Sequence, residues 1–327
     1  MYKTGLLNKR ILSVFLIGVA GVAAACIFIG SNDSQKAKDE RPLVSSMVVS
    51  PDIPSAVLFA GKTIDVTRYN MREAFDRELS SFTYLHSTTL LLIKRANRYF
   101  PVIEPILKRY GIPDDFKYLA VIESHLEPRV SSPARAVGMW QFLEATGREF
   151  GLTVTPTVDE RCHVEKSTVA ACKYLKSAYD KYGDWINVAA SYNTGMGRVS
   201  GELSQQEVDS AFDLWLVEET TRYPYRIMAI KQIFENPYKY GFVLTARSLY
   251  KPIKTREVSV STDVVNLAAF ARRYGITYAD LRRFNPWLRD RKLITGGKTY
   301  TILIPEEEDL HYRQANTYVH DSRWVVN

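Results

Sequence analysis

A mainly α-helical fold with a small C-terminal strand–helix–helix–strand module is what the sequence predicts, on three observations. Apolar residues recur with a period near 3.6 from Arg68 to about Tyr240, the pattern of helices that bury one face. Past Lys251-Pro252 the pattern changes to alternation at Val258 and Val260, two short helical stretches, and alternation again from Thr299 to Ile304. The 327 residues are 46% apolar, 24% charged and 12% aromatic. That composition suits about two domains and excludes wholesale disorder, a collagenous repeat and a multi-span membrane protein.

Lys and Arg outnumber Asp and Glu by 43 to 36, a net charge of +7, which fits contact with an acidic polymer or an anionic surface. No basic tract of five or more residues occurs, so the charge pattern argues against a nucleic-acid partner. Three cysteines without a CxxC pair exclude a disulfide framework and a zinc finger.

Taken in chain order, the first element is Ile11 to Ile29, nineteen residues without a charge. As a helix it would cover about 28 Å of hydrocarbon. Lys3, Lys9 and Arg10 precede it and mixed charges follow, which keeps the N-terminus cytoplasmic and exports the rest to the cell envelope, facing the periplasm. Its length favours a retained membrane anchor, while Ala23 to Ala25 before Cys26 also reads as a cleavage or lipid-attachment site. Residues 31–60 hold Pro42, Pro51 and Pro54 among Ser, Lys and Asp with no sustained pattern, and read as a tether.

In the helical body, residues 61–250, Pro101, Pro105 and Pro113 read as turns or breaks. Tyr110-Gly111-Ile112-Pro113 supplies a stop, and Asp114 opens a helix that Pro128 ends. In that helix Phe116, Leu119, Ala120 and Glu123 fall at i, i+3, i+4 and i+7, so Glu123 shares the buried face. Withdrawal from water raises a carboxyl pKa, the condition for a general acid near neutral pH. The plainer reading is a Glu at a frayed helix end paired with an Arg such as Arg129. His125 points about 160° away from Glu123 on a helix and reads as solvent-facing.

Farther on, Asp184 reads as an N-cap, and Trp185, Val188, Ala189 and Tyr192 share one face, which puts the Tyr192 hydroxyl at the end of a buried stripe where it can orient the acid. Ser132 before Pro133, and Asn193, Gly195 and Gly197, are also ordinary turn chemistry. Met139, Trp140 and Phe142 read as core. Cys162 and Cys172 are separated by too much helix to pair and read as free thiols. There is no GxGxxG, HExxH or GxSxG, and neither Gly61-Lys62-Thr63 nor Gly297-Lys298-Thr299 has the upstream Gly of a phosphate loop.

Together, Glu123-Ser124, Pro128, Ser132, Gly138-Met139-Trp140-Gln141 and Ala190-Ser191-Tyr192-Asn193-Thr194-Gly195, with Asp184-Trp185, Glu219-Thr220 and Arg222-Tyr223, resemble the ordered motifs of goose-lysozyme-like lytic murein transglycosylases, the membrane-bound type D branch in particular. The resemblance runs from about Asp76 to Phe242. Arg135 stands where that family often has Gly, Glu144 replaces a common Pro, and Ser191 stands where Ala is usual.

The resemblance implies a goose-type lysozyme-like fold and a peptidoglycan lytic transglycosylase. Glu123 would be the sole acid and base, cleaving the bond between N-acetylmuramic acid and N-acetylglucosamine and leaving a 1,6-anhydro ring. It implies Ser132, Gln141, Tyr192, Asn193 and Tyr223 as substrate-binding residues, peptidoglycan glycan strands as partner, and no cofactor or metal. A second carboxylate, which ordinary glycosidases need, has Glu127, Glu144 and Glu149 as candidates near in the chain. A hydrolytic muramidase and a non-catalytic peptidoglycan-binding scaffold are the alternatives.

Residues 251–305 read as a strand, helices over Val264 to Tyr274 and Tyr278 to Phe284, and a strand. With Arg272-Arg273-Tyr274-Gly275-Ile276-Thr277, Leu281 and Asn285-Pro286 they resemble a lysin-motif (LysM) module whose opening Gly-Asp-Thr is replaced by Ser261-Thr262-Asp263. That resemblance implies glycan binding, with docking or packing as the other use. Residues 306–327 read as a tail whose start, Glu306 to Asp309, is solvated.

Overall fold

The computed structural model describes residues 48–313 and 317–326. The chain divides into a unit of 1–50, of which only 48–50 are described, and a unit of 51–327 that holds everything below. No helix among the described residues is long and apolar enough to cross a membrane, and Ile11 to Ile29, with Cys26, lies outside them.

The second unit opens with a hairpin where the sequence suggested only a tether. Strand β1 (Ala56–Phe59) pairs antiparallel with β2 (Lys62–Asp65). The stretch alternates after all, with Val57 and Phe59 buried and Ala56 and Leu58 exposed. Ala60 and Gly61, both at positive φ, make the two-residue turn that matches strand twist.

Helices α1 (Tyr69–Tyr84), α2 (His86–Arg109), α3 (Lys117–Ser124), α4 (Glu144–Glu149), α5 (Val164–Tyr182), α6 (Trp185–Thr194), α7 (Met196–Gln205) and α8 (Glu218–Glu235) form the body. α8 packs against α1, α3 and α6. Pro101 and Pro105 do not break α2; both lie inside it. An interior proline costs about 3 kcal/mol. Against that, α2 buries Leu92, Ile93, Phe100, Ile103, Ile106 and Leu107, each contributing roughly 1.5–3 kcal/mol. The apolar face therefore outweighs the two prolines.

α3 follows a short 3₁₀ turn, Asp114–Phe116, and ends earlier than Pro128 suggested. His125 (φ 53°) and Leu126 (φ 56°) both take the left-handed conformation, at about 1–2 kcal/mol each. Leu126 is fully buried, which offsets that cost. Tyr118, Leu119, Ala120, Val121 and Ile122 are all buried, so α3 is surrounded except where Glu123 meets a groove, and Glu123 owes its desolvation to the whole helix rather than to one stripe. Asp184 caps α6 as expected, its Oδ1 accepting from the amides of Ile186 (2.8 Å) and Asn187 (3.2 Å).

The C-terminal module pairs β3 (Thr255–Val260) antiparallel with β4 (Tyr300–Pro305), flanked by α9 (Leu267–Arg273) and α10 (Tyr278–Phe284). α9 starts later than Val264 because Asn266 caps it, accepting from the Ala269 amide at 2.9 Å, while Val264 bridges to Leu293. The module's core includes Val158 and Cys162 of the helical body beside Leu267, Leu281, Trp287 and Ile302. The last segment is not the solvated tail its start suggested. Trp324 is buried among Phe100 and Phe234, with Nε1 donating to the Phe234 carbonyl (2.9 Å). Asn97 of α2 donates to the Tyr318 carbonyl (2.9 Å) and accepts from the His320 amide (2.8 Å). A large aromatic at the end of a polar stretch finds the only kind of place where its area is removed from water.

Candidate active site

One groove of about 700 Å³ is lined by Glu123, Ser132, Gln141, Tyr192, Asn193 and Tyr223, all the residues singled out from the sequence. α3 supplies Glu123, the irregular 130–143 segment one wall, the end of α6 the far side, and α8 Tyr223.

The Tyr223 hydroxyl donates to Glu123 Oε1. Tyr223 is 2% exposed, and burial, followed by the charge of Glu123, pushes its phenol well above the ordinary value, so it stays a donor. Burial also pushes the Glu123 carboxyl up from the ordinary range. The Tyr223 hydrogen bond and then the Arg226 guanidinium pull the other way, Glu219 adds to the rise, and the net shift is upward. Arg129 does not pair with Glu123; it faces Glu127 at 4.0 Å.

Tyr192 is not the residue that holds the acid. Its hydroxyl donates to the Trp140 carbonyl (2.8 Å) and so fixes the groove wall instead. α6 ends at Thr194, and from its last turn the Tyr192 ring packs on Tyr174 and Phe142. Ser132 is a turn residue and a groove residue at once: its Oγ accepts from the Ala136 amide (3.1 Å), which leaves the hydroxyl hydrogen for a ligand. Gln141, at φ 48°, lines the groove and donates from Nε2 to the carbonyls of Gly138 (2.8 Å) and Val130 (3.3 Å). Asn193 Oδ1 accepts from Thr220 Oγ1 (3.0 Å), tying the end of α6 to the start of α8. Met139 and Trp140 are core, with Trp140 Nε1 donating to Thr168 Oγ1 (2.9 Å); Phe142 is buried yet reaches the groove.

His125 is exposed, as expected. Cys162 and Cys172 are free and buried, and burial pushes both thiols up to about 12. None of Glu127, Glu144 and Glu149 lines the groove; the second carboxylate there is Glu219, with Arg226 beside it. The spacing contained the signal. Glu219, Tyr223 and Arg226 fall at i, i+4 and i+7 and so share a face of α8.

Comparison with known proteins matches two regions of the chain. Residues 101–213 match the Transglycosylase SLT domain, and residues 256–308 match the Soluble lytic transglycosylase C-terminal LysM-like domain. Over 250 residues the chain is 29% identical to the membrane-bound lytic murein transglycosylase D of Escherichia coli strain K12, covering 75% of this chain and 54% of that one. It is 28% identical over 142 residues to the membrane-bound lytic murein transglycosylase F of Klebsiella pneumoniae subsp. pneumoniae, covering 40% of this chain and 26% of that one. The 70 kDa soluble lytic transglycosylase of Escherichia coli, a solved structure, aligns at 21% identity and TM-score 0.39 over 52% of this chain and 30% of that one. The chain spans about half the length of the type D relative it matches. It carries a transglycosylase SLT domain followed by a LysM-like domain and is homologous to membrane-bound lytic murein transglycosylase D.

Proposed function

We propose that this protein is a lytic transglycosylase of peptidoglycan that works at the cell envelope. The observation that carries the reading is a desolvated Glu123 held by the Tyr223 phenol in an open groove. In the first step the protonated Glu123 gives its proton to the oxygen between N-acetylmuramic acid and N-acetylglucosamine, while the 2-acetamido oxygen attacks the anomeric carbon as the bond breaks. In the second the Glu123 carboxylate takes the proton of the muramyl 6-hydroxyl. That oxygen displaces the acetamido group and closes the 1,6-anhydro ring, so proton and electron pairs balance without water. Tyr223 keeps the carboxyl in one rotamer through both steps and hydrogen-bonds its charged form between them. Ser132, Gln141 and Asn193 offer the free hydroxyl hydrogen, carbonyl and amide that fix a polar sugar in the groove.

Glu219 favours a second reading, a muramidase, because a second carboxylate in the groove is what water activation requires. Mass spectrometry of digested sacculi decides: the anhydro product is lighter by one water than the hydrolysis product. Wild type should release anhydro-muropeptides, and Glu123→Gln should release none while still sedimenting with sacculi. Equal turnover by the two proteins rejects the enzymatic reading and leaves a wall-binding one. The N-terminal segment as anchor, and the module as a second glycan contact, belong to the same proposal.

A further inference from the structure

The groove wall from Ser132 to Phe142 has almost no regular structure to hold it. Its backbone bonds are short-range: bridges of Val137 with Ser131 and with Phe142, turn bonds among Ser132, Arg135 and Ala136 and from Gln141 to Gly138, and the Gly138 amide on the Val130 carbonyl. Arg135 (φ 62°) and Gln141 (φ 48°) both stand in left-handed conformations that favour glycine. Besides Tyr192 at the Trp140 carbonyl, Arg161 is placed to fix the segment from outside it. Its Nη1 donates to the carbonyls of Arg135 (3.3 Å) and Phe142 (3.2 Å), one near each end of the wall. Gly138 lies so close to the Arg161 backbone that a Cβ there would stand 1.9 Å from the Arg161 carbonyl oxygen, and Gly147 packs on the Arg161 side-chain stem.

Arg161 is itself held. Asp159 grips its guanidinium by Nε–Oδ1 (2.9 Å) and Nη2–Oδ2 (2.7 Å), with both side chains under one-tenth exposed. Asp159 belongs to a strip that is stitched into the C-terminal module. Its amide donates to the Trp287 carbonyl (2.8 Å), the Arg289 amide donates to the Thr157 carbonyl (2.9 Å), and the Ile294 amide donates to Thr157 Oγ1 (3.2 Å). Between them Val158 bridges to Leu288 and sits fully buried in the module's core. A continuous run of buried contacts thus leads from the module to the wall of the groove.

We propose that Arg161 is a positioning residue that fastens the 132–142 groove wall to the LysM-like module, making the module a structural part of the substrate groove. The proposal rests on the reading of that groove as a glycan-cleaving site. A guanidinium can grip Asp159 and both wall carbonyls at once; a lysine keeps the charge and loses the fork. A wall displaced by about 1 Å costs up to roughly 100-fold in rate even though the acid is untouched.

The test uses the full chain with Arg161→Lys and, from the module side, Val158→Ala. Hydrogen exchange is followed at the Val137 and Gly138 amides, which are bonded within and beside the wall, and at Ile230 of α8 as reference. Both variants should exchange faster at Val137 and Gly138, by about tenfold or more, with Ile230 unchanged. On solubilised glycan strands kcat/KM should fall about 10–100-fold, while the pH at which activity is lost stays in place because Glu123 keeps its surroundings. Unchanged exchange in the wall, or a uniform rise that includes Ile230, overturns the proposal, since the latter is what a purely structural residue gives. If Arg161→Lys does not fold, the Val158→Ala arm decides. If wild type proves inactive, the enzymatic reading falls, and the exchange data still decide whether the module holds the wall.

Discussion

Two glutamates reach α8 from different helices, and the protein uses them in opposite ways. Glu78 of α1 is 1% exposed and pairs with Arg222 and, at 3.8 Å, with Arg226. Glu123 of α3 is withdrawn from water too, yet its hydrogen-bond partner from α8 is the neutral phenol of Tyr223. Guanidinium groups stabilise a carboxylate and turn a buried acid into a cross-link between helices. A phenol fixes the carboxyl's orientation without neutralising its charge, so desolvation decides and the proton is held more tightly. Both carboxyls are withdrawn from water, Glu78 wholly and Glu123 in large part; the partner separates a strut from an acid.

The largest expected effects set the two sites apart. Glu123→Gln should lower product release about 10²–10⁴-fold at little cost in folding. Glu78→Gln should instead destabilise by about 1.5–3 kcal/mol, because it removes a charged hydrogen bond between helices while the partly exposed guanidinium groups keep access to water. The pH dependence carries the sign. Between the ordinary Glu range and the raised value of Glu123 the native state binds more protons than the unfolded chain, so stability declines as pH rises through that window. Glu123→Gln removes the decline and should melt no lower than wild type at pH 7. Thermal melts from pH 4 to 8 check this, and a mutant that loses several degrees only at neutral pH would show that the carboxylate stabilises the fold.

Tyr223→Phe comes next. One hydrogen bond to a charged group contributes roughly 1.5–3 kcal/mol, so kcat should fall about 10–100-fold. The Tyr223 bond lowers the Glu123 pKa, so its loss should move the basic limb of the pH–rate profile to higher pH. A limb that moves down, or stays, would mean that Tyr223 does not touch the acid during turnover.

What the sequence disclosed about these sites follows the range of the signals. The Asp184 cap, the helix over Tyr278 to Phe284 and the burial of Trp140 rest on residues a few positions apart, and the structure has them. All six candidate groove residues came from short ordered motifs, and they line one groove. Glu78 with Arg222, Trp324 with Phe234, and Arg161 with the carbonyl of Arg135 join residues remote in the chain, which no periodicity reports. The prolines of α2 and the hairpin of Ala56 to Asp65 were missed for another reason: a local breaker or a short strand is decided by what packs on it. The bond expected from Tyr192 to the acid comes from Tyr223 instead, since the Tyr192 hydroxyl donates to the Trp140 carbonyl.

The smallest effects give the sharpest test of the contrast, because they have opposite signs. Glu219 pushes the Glu123 carboxyl up and Arg226 pulls it down. Glu219→Gln should therefore move the basic limb to lower pH, and Arg226→Gln should move it to higher pH. Glu219 is exposed, so its influence should shrink as salt shortens the Debye length from about 10 Å at 0.1 M to about 3 Å at 1 M. Arg226 is half-buried between Glu78 and the groove, so its influence should persist in salt. The two sites also meet at Arg226: freeing it with Glu78→Gln leaves it to Glu123 alone and should bring the limb down. If Glu219→Gln and Arg226→Gln shift the limb in the same direction, the acid is not tuned by charges on α8 and the contrast between the two glutamates reduces to their direct hydrogen-bond partners.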